Sequence, residues 1–518
     1  MANGADALCD TFLANGIDTC FANPGTSEMH FVAALDRKPQ MRCFLGLFEG
    51  VVTGAADGYA RMAGKPAATL LHTGPGLANG LANMHNARRA FTPMVNVVGD
   101  HAHYHLPNDA ALTTDIESLA RPMSRHVRRI AGPEDVSRAT AESIAAASAA
   151  PGGVSTLILP ADAAWSTVDP DASIAKAEWR AAAEADPQMV ERAAAAARSG
   201  GKPMFLLAGD ALSGNALKKA AAIAERFGGR IAAEQTNRRI ERGVGRPPVE
   251  RMPYVVEQAM AFLEGVTDLI LVGSKTPVTF FAYPNLPTSP VPPGCRVTRL
   301  AERSDDLPGA IDLLGQALGL NDEIGWSGAR TEPPPLRHGD LTAEAVLVSV
   351  THLMPENAIV ADEAVTSGRS FFKLSHGAAP HDHIQVAGGA IGGGLPLALG
   401  AAIACPDRKV LSLQADGSGM YTNQALWSMA RENADVCVVV FANSRYAILQ
   451  GELKNVGADE PGENANRMLR FDSPAVDWVA MAKSMGMDGA RAETAETFHD
   501  LFKSAMGRRG PFLIEACV

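Results

Sequence analysis

Asp416 and Asn443 stand 27 residues apart, each just past the end of an apolar run. Together they offer the hard oxygen atoms that a divalent cation prefers. The stretch reads KVLSLQADGSGMYTNQALWSMARENADVCVVVFANSRYAIL. An apolar strand, Lys409–Gln414, ends in Ala415-Asp416-Gly417-Ser418, a helix is predicted over Tyr421–Glu432, and a second apolar strand ends in Asn443-Ser444-Arg445. A right-handed βαβ crossover sets the ends of two parallel strands side by side, where open α/β sheets bind ligands. The Asp416 carboxylate, the Asn443 amide oxygen, the Arg445 backbone carbonyl, two oxygens of a diphosphate and one water would complete an octahedron around Mg²⁺. Gly417 lets the backbone approach phosphate closely. Ser418 places a hydroxyl at a helix start, whose free N–H groups favour an anion. Either cluster alone reads equally as a capped strand-to-helix turn. Their pairing within one βαβ unit favours the metal.

Other residues have types suited to chemistry. Glu49 lies between Leu47-Phe48 and Val51-Val52, just before a predicted small-residue helix, Gly54–Arg61. It is either a solvated helix-start residue or a buried acid, and apolar burial would raise its pKa. His72 follows the strand Ala67–Leu71 and opens a Gly-rich turn. It is either a proton relay near neutral pH or a structural histidine. Val386–Pro396 is rich in glycine, but its glycines do not fit G-x-G-x-x-G and the matching strand–acid unit is missing, so a dinucleotide loop is not expected. His101, His103 and His105 alternate after Gly99, a weak metal signal on an irregular loop. They are expected to line a pocket or face solvent.

These residues need a scaffold, and 518 residues exceed a single core, since a prior of ~150 residues per domain suggests about three. Short, wholly apolar strands alternate with Ala-rich helices, the pattern of parallel sheets covered on both faces. The fold expected is α/β, with three doubly wound parallel-sheet domains at residues 1–166, 187–326 and 340–518. An acidic connector, Ser166–Pro187, and a proline-rich one, Ser327–Asp340, separate them. The formal charge of −11 gives no reason to expect nucleic acid or an anionic membrane as partner. Seven scattered cysteines without a C-x-x-C pair argue against a zinc site or a disulfide framework. With no secretory leader and no charge-free apolar run of about 18 residues, the chain is expected to be cytoplasmic.

The Asp416–Asn443 stretch resembles the signature of thiamine-diphosphate-dependent enzymes, G-D-G-(S/A) followed by N-N. Ala415 replaces the first Gly and Ala442 the first Asn, while both presumed ligands are kept. The resemblance covers essentially the whole chain and implies pyrimidine-binding, central and diphosphate-binding domains. By resemblance Glu49 is the carboxyl that bonds N1′ of the aminopyrimidine and promotes loss of the thiazolium C2 proton. Gly389 would offer a carbonyl to the 4′-amino group, and Ile391 would hold the cofactor bent. Thr366, in Asp362-Glu363-Ala364-Val365-Thr366, and Tyr446 would line the cofactor. The resemblance further implies active sites shared between subunits, hence a homodimer or homotetramer.

Within that family the chain is similar to benzoylformate decarboxylase and to acetolactate synthase large-subunit-like proteins. Phe21-Ala22-Asn23-Pro24-Gly25-Thr26-Ser27-Glu28 is similar to the decarboxylase's N-P-G-S loop, placing Thr26 where a Ser meets the substrate carboxylate. Leu71-His72-Thr73-Gly74-Pro75-Gly76 matches the loop with an active-site His. Where the decarboxylase draws a second catalytic His from its central domain, this chain has Thr279-Phe280-Phe281-Ala282-Tyr283. Polar Gln450 and Glu452 replace bulky apolar residues, which implies a more polar substrate or an exposed helix face. The chain lacks the Gly-Gln loop of the longer, FAD-binding acetolactate synthases, so FAD is not expected. The reading is a carboligase or lyase acting on 2-oxo acids or 2-hydroxy ketones. The alternatives are a decarboxylase that releases an aldehyde, or a non-catalytic homologue.

Overall fold

The computed structural model describes residues 2–169, 173–320, 325–326, 328, 331–458 and 461–518. Both connectors expected from the sequence therefore lie partly outside the described residues. Three sheets carry the chain. The first orders its strands Arg42–Leu45, Thr19–Asn23, Ala67–Leu71, Met94–Asp100, Val154–Pro160, His126–Arg129, all parallel. Its central strands are buried along their whole length, as sheets covered on both faces require. The second sheet runs Glu250–Arg251, Arg230–Ala233, Pro203–Leu207, Asp268–Val272, Arg296–Ala301, again all parallel.

The third sheet has seven strands, in the order Asp488–Ala492, Phe512–Cys517, Val436–Ala442, Val410–Ala415, Ile359–Glu363, His381–Gln385, Ile240–Arg242. The last is antiparallel and comes from the middle segment, so this sheet is not built from residues beyond 340 alone, a correction to the all-parallel expectation. Without it, the first and third sheets have the same strand order, read from the side of the second strand in chain order. In each, the chain reverses its winding between two central strands, which opens a crevice at their carboxyl ends. In the first sheet these strands lead into the Gly25–Glu28 loop and His72. In the third they end at Glu363 and Ala415.

The two sheets are joined through helices Glu49–Ala63 and Gly394–Ala404, and one apolar core runs through both. The helices touch backbone to backbone. A Cβ at Gly58 would sit 2.1 Å from the Leu397 carbonyl oxygen, and one at Gly400 would sit 1.8 Å from that of Ala55. Only glycine fits at these crossings. No helix among the described residues is long and apolar enough to cross a membrane.

Candidate active site

Asp416 begins a short helix, Asp416–Gly419, directly after its strand, and Ala425–Arg431 forms the next helix in place of the single one expected over Tyr421–Glu432. The Asp416 carboxylate is buried and reaches across to the second loop. Its Oδ2 accepts from the backbone N–H groups of Asn443 at 2.8 Å and Ser444 at 2.6 Å, and Oδ1 accepts from Gly417 N–H at 2.8 Å. Burial raises this carboxyl above its usual range, and the three donors pull it back. Asn443 turns its amide oxygen to Arg445 N–H at 3.1 Å. The two clusters thus meet, and their carboxylate, amide and carbonyl oxygens form a donor set that a hard divalent cation accepts.

Tyr446 closes over Gly417, where a Cβ would lie 2.6 Å from the tyrosine ring. Ser418 departs from expectation. Its hydroxyl turns inward, accepting from Gln414 Nε2 at 2.6 Å and donating to the Ala415 carbonyl at 3.1 Å. It braces the loop and does not present that hydroxyl to an anion.

Glu363 organises the glycine loop. Its Oε1 accepts from Gly392 N–H at 2.9 Å and Gly393 N–H at 3.1 Å, and its Oε2 accepts from Gly394 N–H at 3.0 Å and Gln414 Nε2 at 2.9 Å. Complete burial raises this carboxyl, against the pull of those donors. The first segment holds the loop from its other side. His85 bonds the Gly388 carbonyl at 3.1 Å, Asn86 donates to that of Ala390 at 2.8 Å, and Asn83 donates to that of Gly392 at 3.2 Å. Among the described residues nothing donates to the Gly389 carbonyl. Gly389 adopts φ +78°, a conformation that glycine reaches without strain. Ile391 lies two residues on, partly buried, and Thr366 lies in the turn after Ile359–Glu363.

Glu49 is the first residue of its helix and only 6% exposed. Its Oε2 accepts from Asn79 Nδ2 at 3.0 Å, while among the described residues Oε1 takes no hydrogen bond. The expected helix Gly54–Arg61 extends to include Glu49, which settles that position as a buried acid. Asn79 and Gly76, the neighbours of its carboxyl, both belong to the first segment.

His72 is held by a residue that the sequence reading quoted without assigning a role. Its Nδ1 lies 2.8 Å from Oε2 of the buried Glu28 and 3.1 Å from Ser27 Oγ. Glu28 also accepts from Gly25 N–H at 2.8 Å and from Ser27 Oγ at 2.6 Å. A carboxylate on Nδ1 fixes the tautomer and leaves Nε2 to act outward. Thr26 is exposed and makes no side-chain hydrogen bond among the described residues, so Ser27 is the hydroxyl that meets His72. His103 pairs with Asp162 at 3.0 Å, while the His101 and His105 rings lie 5.4 Å apart, tilted by 60°, so the three alternate histidines do not converge on one point.

Two segments of the chain match family descriptions. Residues 2–119 match the thiamine pyrophosphate enzyme N-terminal TPP binding domain, and residues 369–516 match the corresponding C-terminal domain. A protein of Mycobacterium tuberculosis named "Putative acetolactate synthase large subunit IlvX" is 49% identical over 100% of this chain and 99% of its own length. The chain belongs to the thiamine pyrophosphate enzymes. Within that family, benzoylformate decarboxylase of Pseudomonas aeruginosa is 28% identical over 97% of this chain and 96% of its own length. Among solved structures of thiamine pyrophosphate enzymes, the 4-hydroxybenzoylformate decarboxylase of Rhodococcus jostii RHA1 superposes with a TM-score of 0.87. It is 25% identical and covers 100% of this chain and 99% of its own. Glu49 and His72 fall in the N-terminal match and the Asp416–Asn443 pair in the C-terminal one.

Proposed function

We propose that this enzyme binds thiamine diphosphate through Mg²⁺ and joins or cleaves the carbon–carbon bond beside a carbonyl, using 2-oxo acids or 2-hydroxy ketones. The free Gly389 carbonyl, between three carbonyls already taken by the first segment, carries the reading. Asp416, Asn443 and the Arg445 carbonyl would hold Mg²⁺, with Gly417 and Ser418 beneath the diphosphate. Ile391, Thr366 and Tyr446 would enclose the rest of the cofactor. The bound cofactor supplies a nucleophilic carbon that adds to a carbonyl and takes up the electron pair of the broken bond.

Glu49 keeps one carboxylate oxygen free to hold a proton at the pyrimidine N1′. Glu28 orients His72 so that Nε2 can give or take a proton at the substrate oxygen. Ser27 stands beside it, and Thr26, exposed one residue earlier, would meet a substrate carboxylate. A second copy of the chain would complete each site, in a dimer or tetramer in the cytoplasm.

The middle segment favours ligation over simple decarboxylation. It lays Phe280 against Gly389, and its stretch Thr279–Tyr283 contains no histidine to protonate a product. Aldehyde release is the second reading, favoured by the decarboxylase likeness. The test is incubation of the protein, thiamine diphosphate and Mg²⁺ with pyruvate, aryl 2-oxo acids and 2-hydroxy ketones. Acyloin or acetohydroxy-acid products support ligation, and free aldehyde supports the second reading. Glu49→Gln should abolish turnover while calorimetry still detects cofactor binding. Turnover that survives refutes the role given to Glu49.

A further inference from the structure

The glycine loop has one further anchor, and it comes from the helix that bears Glu49. That helix, Glu49–Ala63, starts at the acid and carries Arg61 in its last turn, about 18 Å further along the axis. Arg61 and Asp57, one turn apart, are both buried, and the Arg61 side chain has no exposed surface. Its guanidinium grips the carboxylate as a fork. Nε donates to Asp57 Oδ1 at 2.7 Å and Nη2 to Oδ2 at 2.5 Å, while Thr92 donates to the same Oδ1 at 2.6 Å. Such a fork fixes the guanidinium plane and leaves the hydrogens of Nη1 for other acceptors.

Both of those acceptors lie outside the first segment. Nη1 donates to the Gln385 carbonyl at 2.6 Å and to the Arg238 carbonyl at 3.3 Å, so one side chain joins all three segments. Gln385 ends the strand His381–Gln385 and is the step into the glycine loop. Its own side chain is held by the middle segment: Oε1 accepts from Arg251, and Nε2 donates to the Gln235 carbonyl at 3.0 Å. The loop folds back onto this start, since a Cβ at Gly393 would sit 2.9 Å from Val386 Cγ2. Gly389, four residues beyond Gln385, is exposed. The grips of Glu363, His85, Asn86 and Asn83 all fall at Gly388 or later. Arg61 fixes where the loop begins.

A buried ion pair contributes little stability, because desolvating two charges offsets most of their attraction. What this pair supplies is direction. We propose that Arg61, locked by Asp57, is a positioning residue for the cofactor: it sets the start of the glycine loop, and through it the Gly389 carbonyl, without touching the ligand. This rests on the thiamine-diphosphate reading above. The role concerns the pyrimidine end alone, because Arg61 spends its hydrogen bonds on Asp57, Gln385 and Arg238 and none on the Asp416 and Asn443 loops.

Calorimetry separates the two ends of the cofactor. The double variant Asp57→Asn/Arg61→Met removes both charges together, so neither is left buried and unpaired, and the amide at position 57 still accepts from Thr92. With thiamine diphosphate and Mg²⁺ it should bind about tenfold more weakly than wild type, the factor that one charged hydrogen bond amounts to. With inorganic diphosphate and Mg²⁺ the two proteins should bind equally. Arg61→Lys, which keeps a charged donor but not the fork, should fall between them for thiamine diphosphate, and it carries the comparison if the double variant does not fold. Equal loss with both probes makes Arg61 a support of the fold only, and no loss with either leaves it setting nothing. Each result overturns the proposal.

Hydrogen exchange on the cofactor-free proteins gives a second measure that needs no ligand. Amides of residues 386–394 should exchange faster in the variants, while those of Asp416–Gly419 keep their wild-type rates. Unchanged exchange at 386–394, or equal acceleration in both places, overturns the proposal. A wild type that binds neither probe sinks the functional reading alone, and the exchange rates still decide for Arg61.

Discussion

Glu363 offers the sharpest test of how the glycine loop is held, because one side chain satisfies four buried donors. Glu363→Ala orphans the N–H groups of Gly392, Gly393 and Gly394 and one hydrogen of Gln414. Each buried donor left unmet costs about 1–3 kcal/mol. Water admitted to the vacated space would recover part of this, leaving a net loss of about 4–6 kcal/mol, a large share of the ~5–15 kcal/mol that holds a typical domain together. Glu363→Gln keeps the size and one acceptor oxygen, but turns an amide donor toward two existing donors, a cost of about 2–3 kcal/mol.

Thermal melts without cofactor should therefore rank wild type above Gln above Ala. At about 2–4 °C per kcal/mol, Ala should fall by roughly 10–20 °C. Calorimetric titration with thiamine diphosphate and Mg²⁺ should show affinity falling in the same order, since the loop that carries the Gly389 carbonyl loses its anchor. If the Ala variant melts within ~2 °C of wild type and binds the cofactor equally well, the carboxylate does not hold the loop and the reasoning fails.

Two further outcomes follow from the same geometry. Asp416→Ala should eliminate Mg²⁺-dependent binding of thiamine diphosphate in calorimetry, because it removes both the carboxylate donor and the tie to Asn443 and Ser444. Acid should destabilise the protein through two histidines of the third segment. Burial, with the Arg242 charge adding to it, lowers His376 to about 4, and burial lowers His381 to about 3. Both lie below the unfolded value of ~6.5, so folding holds them neutral. Their contribution is full above ~6.5 and is lost as pH falls through the folded values, at about 1.4 kcal/mol per pH unit for each. Melting temperatures should therefore drop steadily between pH 6.5 and about 4, and His376→Gln should flatten that slope.

What the sequence displayed and what it concealed divide along a physical line. Lys409–Gln414 and Val436–Phe441 stood out because buried parallel strands are apolar throughout, and the polar clusters at their ends marked the crevice. Arg42–Leu45, His126–Arg129 and His381–Gln385 were not legible as strands. Two lie at or next to a sheet edge where charge is tolerated, and the third carries buried polar residues matched by Arg239, Arg408 and Asp362. Glu363 and Glu28 were visible as letters but not as anchors. The partners of Glu363 are mostly backbone N–H groups, which leave no trace in residue type, and the partner of Glu28 lies 44 positions away. The resemblance in spacing points to Thr26 rather than Ser27. The tight turn at Thr26–Glu28 instead swings the next hydroxyl toward His72.

The short strand Ile240–Arg242, lent by the middle segment, changes what the C-terminal part of the chain can be alone. It covers the flank of His381–Gln385, and Arg242 runs inward to stack on Phe372 and bond Ser375. A fragment beginning near residue 340 would expose that flank as an open row of amides and carbonyls, with a hollow where the guanidinium had been. Such an edge invites pairing with its own kind. The last third of this polypeptide is therefore expected to form aggregates when produced by itself, and to become tractable only when about a hundred preceding residues are kept attached.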